Sequence, residues 1–355
     1  MKYFLALLTV LFLRIDTKAQ GTYIISGTVK NSKGEKVQSA TVFVAGTQNM
    51  TMTNAEGEYS FKGIIPGNYL VVVNMLGYNS VKHAITVNER SETLNLILAD
   101  KEIALQEVVI SGKQQSPKDL KRFTRYFLGQ VYDPKLCKIL NPEIINFAHT
   151  DTTLTATTDD FLVIENQLLG YRIKYLLKIF SVGRSDDWHN FDGEYTFEPL
   201  EGSPAMQDYW VKNRKATYEG SKMNFLRSLY AVTTRKEGFL LYKVTSDNPL
   251  IIERNPKDAQ QFVTRTDSGF IKADTKPGVM VVYDKQKAAL PDVLSDKPPK
   301  KYFALMGMPY RFTLLKFAAK VDSRGSITDR TWDLSFGYWP LFGVAHQLPF
   351  EYQPN

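Results

Sequence analysis

Two turn signatures punctuate residues 53–67, and they constrain the chain around them to short strands. In Thr53-Asn54-Ala55-Glu56-Gly57-Glu58-Tyr59, the Asn54 side chain can bond its own backbone two residues on, and Gly57 accepts a positive φ. A tight hairpin into a Tyr59–Phe61 strand follows. In Ile65-Pro66-Gly67-Asn68-Tyr69, Pro fixes φ at the second turn position and Gly takes a positive φ at the third, which is a type II turn. Val71–Val73 then read as a buried strand. Upstream, Tyr23, Ile25 and Val29 alternate with Ser26, Thr28 and Lys30, and Ala40, Val42 and Val44 repeat the pattern after a turn at Asn31–Gly34. Gly77-Tyr78 precedes further strands at Ile85–Val87 and Leu94–Leu98. Short strands at this spacing predict an all-β sandwich over residues 21–100.

The combination Gly27-Thr-Val, Gly46-Thr, Thr53-Asn-Ala-Glu-Gly-Glu-Tyr, Ile65-Pro-Gly-Asn-Tyr and Leu76-Gly-Tyr78 resembles the carboxypeptidase regulatory-like domain of exported Bacteroidetes proteins, which implies a Greek-key, transthyretin-like sandwich. Leu105-Gln-Glu-Val-Val-Ile-Ser-Gly112 is similar to the connector that joins this domain to the plug of TonB-dependent receptors, and residues 101–115 read as a linker. The rest of a receptor is not expected, because a barrel needs many alternating segments of about 10 residues and the remaining chain is too short and too helical. Peptidase chemistry is not expected either. The resemblance would call for a zinc site of two His and a Glu. His83, His149, His189 and His346 are followed at the third position by Thr86, Thr152, Asp192 and Pro349, so that site cannot be written.

Export is read from the N-terminus. Lys2 precedes an apolar run from Phe4 to Leu13, and Thr17 and Ala19 stand at a signal-peptidase spacing, so residues 1–19 read as a signal peptide. The run is too short to cross a bilayer, which takes about 20 apolar residues. The expected location is the periplasm or the outer membrane. The single Cys137 cannot make an intramolecular disulfide and reads as a small buried apolar residue. A net charge of +7 falls by two once Lys2, Arg14 and Lys18 leave with Asp16. This mild excess suits anionic headgroups or acidic glycans, and export argues against nucleic acid.

Residues 116–355 read as one α+β domain, an antiparallel sheet with helices, which makes the chain mainly β overall. Ser116-Pro117 opens an amphipathic helix with Leu120, Phe123, Phe127, Leu128 and Val131 on one face and Lys118, Lys121, Arg122 and Arg125 on the other. That basic face is either solvated or a membrane-surface contact. The longest strand, Tyr171–Phe180, sets Tyr171, Ile173, Tyr175, Leu177 and Ile179 opposite Arg172, Lys174 and Lys178. Ser203-Pro204 starts a helix carrying Met206, Tyr209 and Trp210, and Ser221 starts another that buries Phe225, Leu226, Leu229 and Tyr230. Strands return at Phe239–Val244, Gly278–Tyr283, Phe312–Phe317 and Thr331–Phe336, with a loop at Lys297–Lys300. Blocks at Asn166–Leu177, Tyr218–Leu229, Gly337–Trp339 and Leu348–Tyr352 look like those of an uncharacterised group of Bacteroidetes proteins with this layout. Met223-Asn224 departs from the basic residue and His often seen there.

Two clusters are candidate sites. Arg214, Lys215, Tyr218, Ser221, Lys222 and Arg227 surround the turn between two helices, where free amides and cations could hold an anion. Equally, Ser221 only caps its helix and the charges are solvated. Asp187, Trp188, Asp192 and Glu194 gather carboxylates and aromatics in the manner of a glycan site or glycosidase, or else form a polar loop feeding a strand. No catalytic set, cofactor or metal is read from the chain. The expectation is a non-catalytic envelope binding or assembly protein with an envelope protein or glycan as partner; a glycan-binding protein or hydrolase is the alternative.

Overall fold

The structure is a computed structural model that describes residues 22–101, 116–247, 250–266, 269–290 and 311–354. The expected signal, the Leu105–Gly112 connector and the Lys297–Lys300 loop lie outside the described residues. The first unit contains β1 (Tyr23–Asn31), β2 (Thr41–Val44), β3 (Met50–Met52), β4 (Glu58–Ile64), β5 (Gly67–Asn74), β6 (Val81–Val87), β7 (Glu92–Thr93) and β8 (Leu96–Leu98). One sheet runs β4-β1-β7 with β8 also on β1, and the other runs β3-β2-β5-β6. Inward residues of both sheets, among them Ile25, Val29, Val42, Tyr59, Phe61, Val71 and Val73, form the core between them. The Asn54 turn forms as its sequence predicts, with Oδ1 accepting the amides of Glu56 at 3.0 Å and Glu58 at 2.8 Å.

The second signature differs from its expectation. Gly67 has no positive φ and is instead the first residue of β5. Its value is close approach, because a Cβ there would lie 3.0 Å from Asp322 Oδ2 and 3.1 Å from Arg324 Nε. A glycine read as a turn residue is thus the seat of a contact made from more than 250 residues away in sequence.

The next unit comprises α1 (Pro117–Phe127), β9 (Cys137–Ile139), β10 (Ile145–His149), β11 (Thr153–Thr158), β12 (Phe161–Asn166), β13 (Tyr171–Gly183) and β14 (His189–Pro199). The order is β10-β11-β13-β12-β9, with β14 along the other side of β13. Ser116 caps α1, and Phe123 and Phe127 stack on one another and pack edge-on against Phe180 and Tyr175 of β13. Two expectations need correction here. The β13–β14 ladder shifts register between Leu177 and Ile179, so beyond this bulge Phe180 and Val182 take the buried face that Ile179 was expected to share. The helix also stops at Phe127. Gly129 turns the chain to bridge Phe342, leaving Val131 half exposed. Cys137 is buried, and burial pushes its thiol up to about 12.

Then come α2 (Pro204–Tyr218), α3 (Lys222–Ala231), β15 (Phe239–Asp247), β16 (Leu250–Ile252), β17 (Val263–Arg265), β18 (Ile271–Asp274), β19 (Gly278–Tyr283), β20 (Arg311–Val321) and β21 (Ile327–Gly337). These strands form a second antiparallel sheet, β16-β15-β19-β20-β18-β17, with β21 also on β20. α3 buries Phe225, Leu226 and Leu229 on one face of it, where Phe225 meets Phe239 and Trp339. By contrast, α2 buries only Trp210 and Tyr218, and its Met206 and Tyr209 are each 44% exposed. Among the described residues no helix is long and apolar enough to cross a membrane.

The segment Gly343–Tyr352 ties the three units together. Asn166 donates to the Ala345 carbonyl, Arg227 donates to the carbonyls of Phe350 and Tyr352, the Phe350 amide donates to Gly46, and Glu351 accepts from Asn49. His346 sits in this segment with its ring edge-on to Phe342 and its Nδ1 without a partner among the described residues. Burial pushes its imidazole down from 6.5 to about 4. A histidine depressed on folding costs nothing while both states are neutral. Its stability is therefore full above the unfolded value and is lost as pH falls from about 6.5 toward 4, up to about 3 kcal/mol. His346→Gln should flatten that part of the pH profile, read from urea midpoints at pH values on either side. An unchanged difference between wild type and variant across that range would disprove it.

Candidate functional site

The tight Leu168–Gly170 turn between β12 and β13 is built by Asn166, which is fully buried and whose Oδ1 accepts the Leu169 amide at 3.1 Å. This turn sets Glu165 opposite Arg172 in the ladder. Arg172 Nη2 lies 3.1 Å from Glu165 Oε2, and Gln167 Nε2 lies 3.1 Å from Oε1. Hydrogen bonds from Gln167 and then Arg172 hold the Glu165 carboxyl below its usual range. Ser203 and Pro204 start α2 just past the end of β14, and the helix is pinned to the hairpin by Trp210, whose Nε1 donates to the Gln167 carbonyl at 2.9 Å.

Between hairpin and helix lies a groove of about 520 Å³, lined by Glu165, Gln167, Arg172, Glu201, Met206 and Trp210 among others. The Arg172 side chain, 40% exposed, contributes N–H donors to this lining. Donor, acceptors and an apolar wall therefore meet in one recess. Sequence reading missed it because its residues come from two hairpin strands and a helix start, and none forms a motif. The one signal available was the surplus of exposed apolar residues on a helix with a Ser-Pro start.

The two clusters expected from sequence have other employment. Arg214 donates to the carbonyls of Leu169 and Gly170 and lies 4.1 Å above the Tyr171 ring. Arg227, 8% exposed, donates to three carbonyls, at Arg324, Phe350 and Tyr352. Tyr218 packs against Tyr352, and Ser221 accepts the Asn224 amide as an N-cap. Lys215 and Lys222 are engaged as well. The residues are neighbours, but the two arginines spend their forks on backbone oxygens that lace the fold.

The acidic cluster is not drawn together. Asp187 and Trp188 stand exposed at the tip of the β13–β14 hairpin, while Asp192 and Glu194 lie further along β14. Asp192 faces Lys178 at 3.4 Å, and Glu194 faces Lys82 of the first unit at 2.8 Å. Among the described residues no three His, Cys, Asp or Glu side chains are grouped to hold a metal.

Lys82 belongs to a larger contact between the first unit and the β9–β14 sheet. Gly46 donates to the Tyr195 carbonyl at 2.7 Å, and the Phe197 amide and Thr196 hydroxyl both donate to Thr47, so the free edge of β14 is capped by the loop after β2. Phe43, fully buried on the outer face of the sandwich, meets Phe161 edge-on at 5.6 Å. Deeper in, Asp322 and Arg324 form an ion pair at 2.7 Å, 1% and 6% exposed, with Asp322 accepting the Asn68 amide and Arg324 lying 3.9 Å over Tyr69. The rim pairs Lys82–Glu194 and Lys101–Asp159 are exposed enough to add little, about 0–1 kcal/mol each.

Comparison with known proteins places one part of this assembly. The CarboxypepD_reg-like domain family matches residues 25–110. A stretch of 118 residues, 33% of this chain, is 32% identical to the TonB-dependent receptor SusC of Bacteroides thetaiotaomicron, and it spans only 11% of that receptor. Solved structures align over smaller parts. Catechol 1,2-dioxygenase of Acinetobacter radioresistens aligns with 23% of this chain and 53% of its own at 13% identity and a TM-score of 0.20. A streptococcal ancillary pilin aligns with 24% and 34% at 11% identity and a TM-score of 0.21. Residues 25–110 of this chain are a CarboxypepD_reg-like domain.

Proposed function

We propose that the chain is a non-catalytic binding or assembly protein of the cell envelope, exported by residues 1–19 and held in the periplasm or at the outer membrane. In this reading residues 21–100 are the docked sandwich and residues 116–355 the α+β body. The observation that carries it is the way the sandwich is attached. Its outer face, its loop at Gly46–Thr47 and its Asn68–Tyr69 strand are all covered by the body. Lys82, Arg227, Asp322 and Arg324 are consumed in the same joints. A fixed composite surface of this kind suits recognition. The similarity of one segment to part of a TonB-dependent receptor supports the envelope placement, with an envelope protein or glycan as partner and no cofactor, metal or nucleic acid called upon. The exposed Lys118, Lys121 and Arg125 on α1 offer a route to an anionic membrane surface.

Cross-linking in intact cells of the native host, followed by affinity recovery of the tagged full chain, tests this. A specific envelope component is expected in excess over a matched tagged control. Background proteins alone, recovered from correctly exported material, would overturn it. A glycan-binding role is the second reading, favoured by the groove beside α2. Hydrolysis at Asp187, Asp192 and Glu194 has no such support, because the latter two carboxylates are each neutralised by a lysine.

A further inference from the structure

We infer that the groove between the β12–β13 hairpin and the start of α2 binds a neutral sugar unit, with Arg172 and Glu201 addressing its hydroxyls and Met206 its apolar face. This deepens the glycan reading above and does not rest on the protein-partner reading.

The argument starts from the polar groups. Glu165 is held from two sides by Gln167 and Arg172, so it presents an ordered acceptor. The guanidinium gives Nη2 to Glu165, and its side chain, 40% exposed, keeps further N–H donors at the groove lining. Those donors call for an occupant that accepts. Glu201, exposed at the groove mouth, calls for one that donates. A ligand that accepts and donates from adjacent atoms, and is neutral, meets both demands, as neighbouring ring hydroxyls do.

Charge narrows the class. Glu165 and Arg172 offset one another and Glu201 remains, so an anion would face two carboxylates with one cation. An extended peptide is recognised through main-chain ladders on a free strand edge, whereas the polar groups invoked here are side-chain ends. The volume of about 520 Å³ is in the range of small-ligand sites. Met206 supplies a soft apolar wall. Tyr209, one turn along α2 and 44% exposed, extends that side as a stacking surface for a second sugar ring. Trp210 is 1% exposed and serves as the floor, so stacking falls to Tyr209.

The test uses the full chain and neutral trisaccharides of glucose, mannose, galactose and N-acetylglucosamine, with binding read by saturation-transfer NMR and calorimetry. Glu201→Gln and Met206→Trp alter exposed positions, and Arg172→Met removes the guanidinium. At least one trisaccharide is expected to bind the wild type, and Glu201→Gln and Met206→Trp are each expected to weaken it roughly tenfold or more with the melting temperature unchanged. Absence of binding by every trisaccharide would overturn the inference, as would affinity unchanged in Glu201→Gln and Met206→Trp. Neutral tripeptides run in parallel would overturn the sugar class if they bound and lost affinity in the same variants. A partner recovered from cells while no saccharide binds would sink this inference and leave the assembly reading standing.

Discussion

Arg324→Met is expected to lower stability by about 3–5 kcal/mol, because it leaves a buried carboxylate without its cation. Asp322 is 1% exposed, and the guanidinium meets it through Nη2 at 2.7 Å and Nε at 3.1 Å. The same guanidinium donates to the Asn68 carbonyl and covers the Tyr69 ring at 3.9 Å, with Phe350 at 5.6 Å. After the substitution Asp322 would keep the amides of Arg324, Ser326 and Asn68, which orient it but carry no full charge. Methionine preserves much of the apolar contact with Tyr69, so the loss reports the charge more than the packing. Combining Arg324→Met with Asp322→Asn should recover part of the loss, since no ionised group is then left buried, and a double-mutant cycle in urea isolates the coupling. A single variant that loses less than about 1 kcal/mol would place the pair in the class of exposed bridges and contradict its burial.

That pair also shows where sequence reading stops. The strands of residues 23–98 were legible because their signals are local: alternation of apolar residues, and an Asn54 turn closed by its own side chain. Helix starts at Ser116, Ser203 and Ser221 were legible for the same reason, each a capping hydroxyl before a helix. What could not be read from the sequence was decided at long range. Gly67 has the sequence of a turn glycine, yet its lack of a side chain serves Asp322 and Arg324. Arg214 and Arg227 have the sequence of an anion site, yet the carbonyls they hold come from Leu169 and from Phe350. A bulge after Leu177 reversed the faces of half a strand with nothing in the residues to announce it. The groove is the extreme case, since its parts acquire meaning only once Trp210 pins α2 to the hairpin.

Gly46→Val should separate the sandwich from the body while leaving the core of each intact. Gly46 has a φ of +74°, where a β-branched residue is strained by about 1–2 kcal/mol. A Cβ there would lie 2.5 Å from Phe350 Cε2, adding about 1–3 kcal/mol of overpacking. Phe350 cannot simply retreat, because Arg227 holds its carbonyl and Arg324 stands over its ring. Gly46 itself donates to Tyr195 and accepts from Phe350, so shifting its backbone breaks both links. On β2 the sandwich core reaches only as far as Val44, and it contains none of these groups. Amide exchange at Gly46, Phe197 and Phe350 is therefore expected to speed up by roughly 30-fold or more, while Val71 and Val73 in β5 keep their protection. Equal acceleration in β5 would mean that sandwich and body unfold as one unit, and no acceleration anywhere would mean that the Gly46 contact does not hold them. The variant also divides the functional readings. A partner that needs the composite surface is lost when the sandwich undocks, whereas a sugar bound beside α2 is retained, because its groove is lined by the β12–β13 hairpin, the end of β14 with the loop after it, and α2, with no residue of the sandwich.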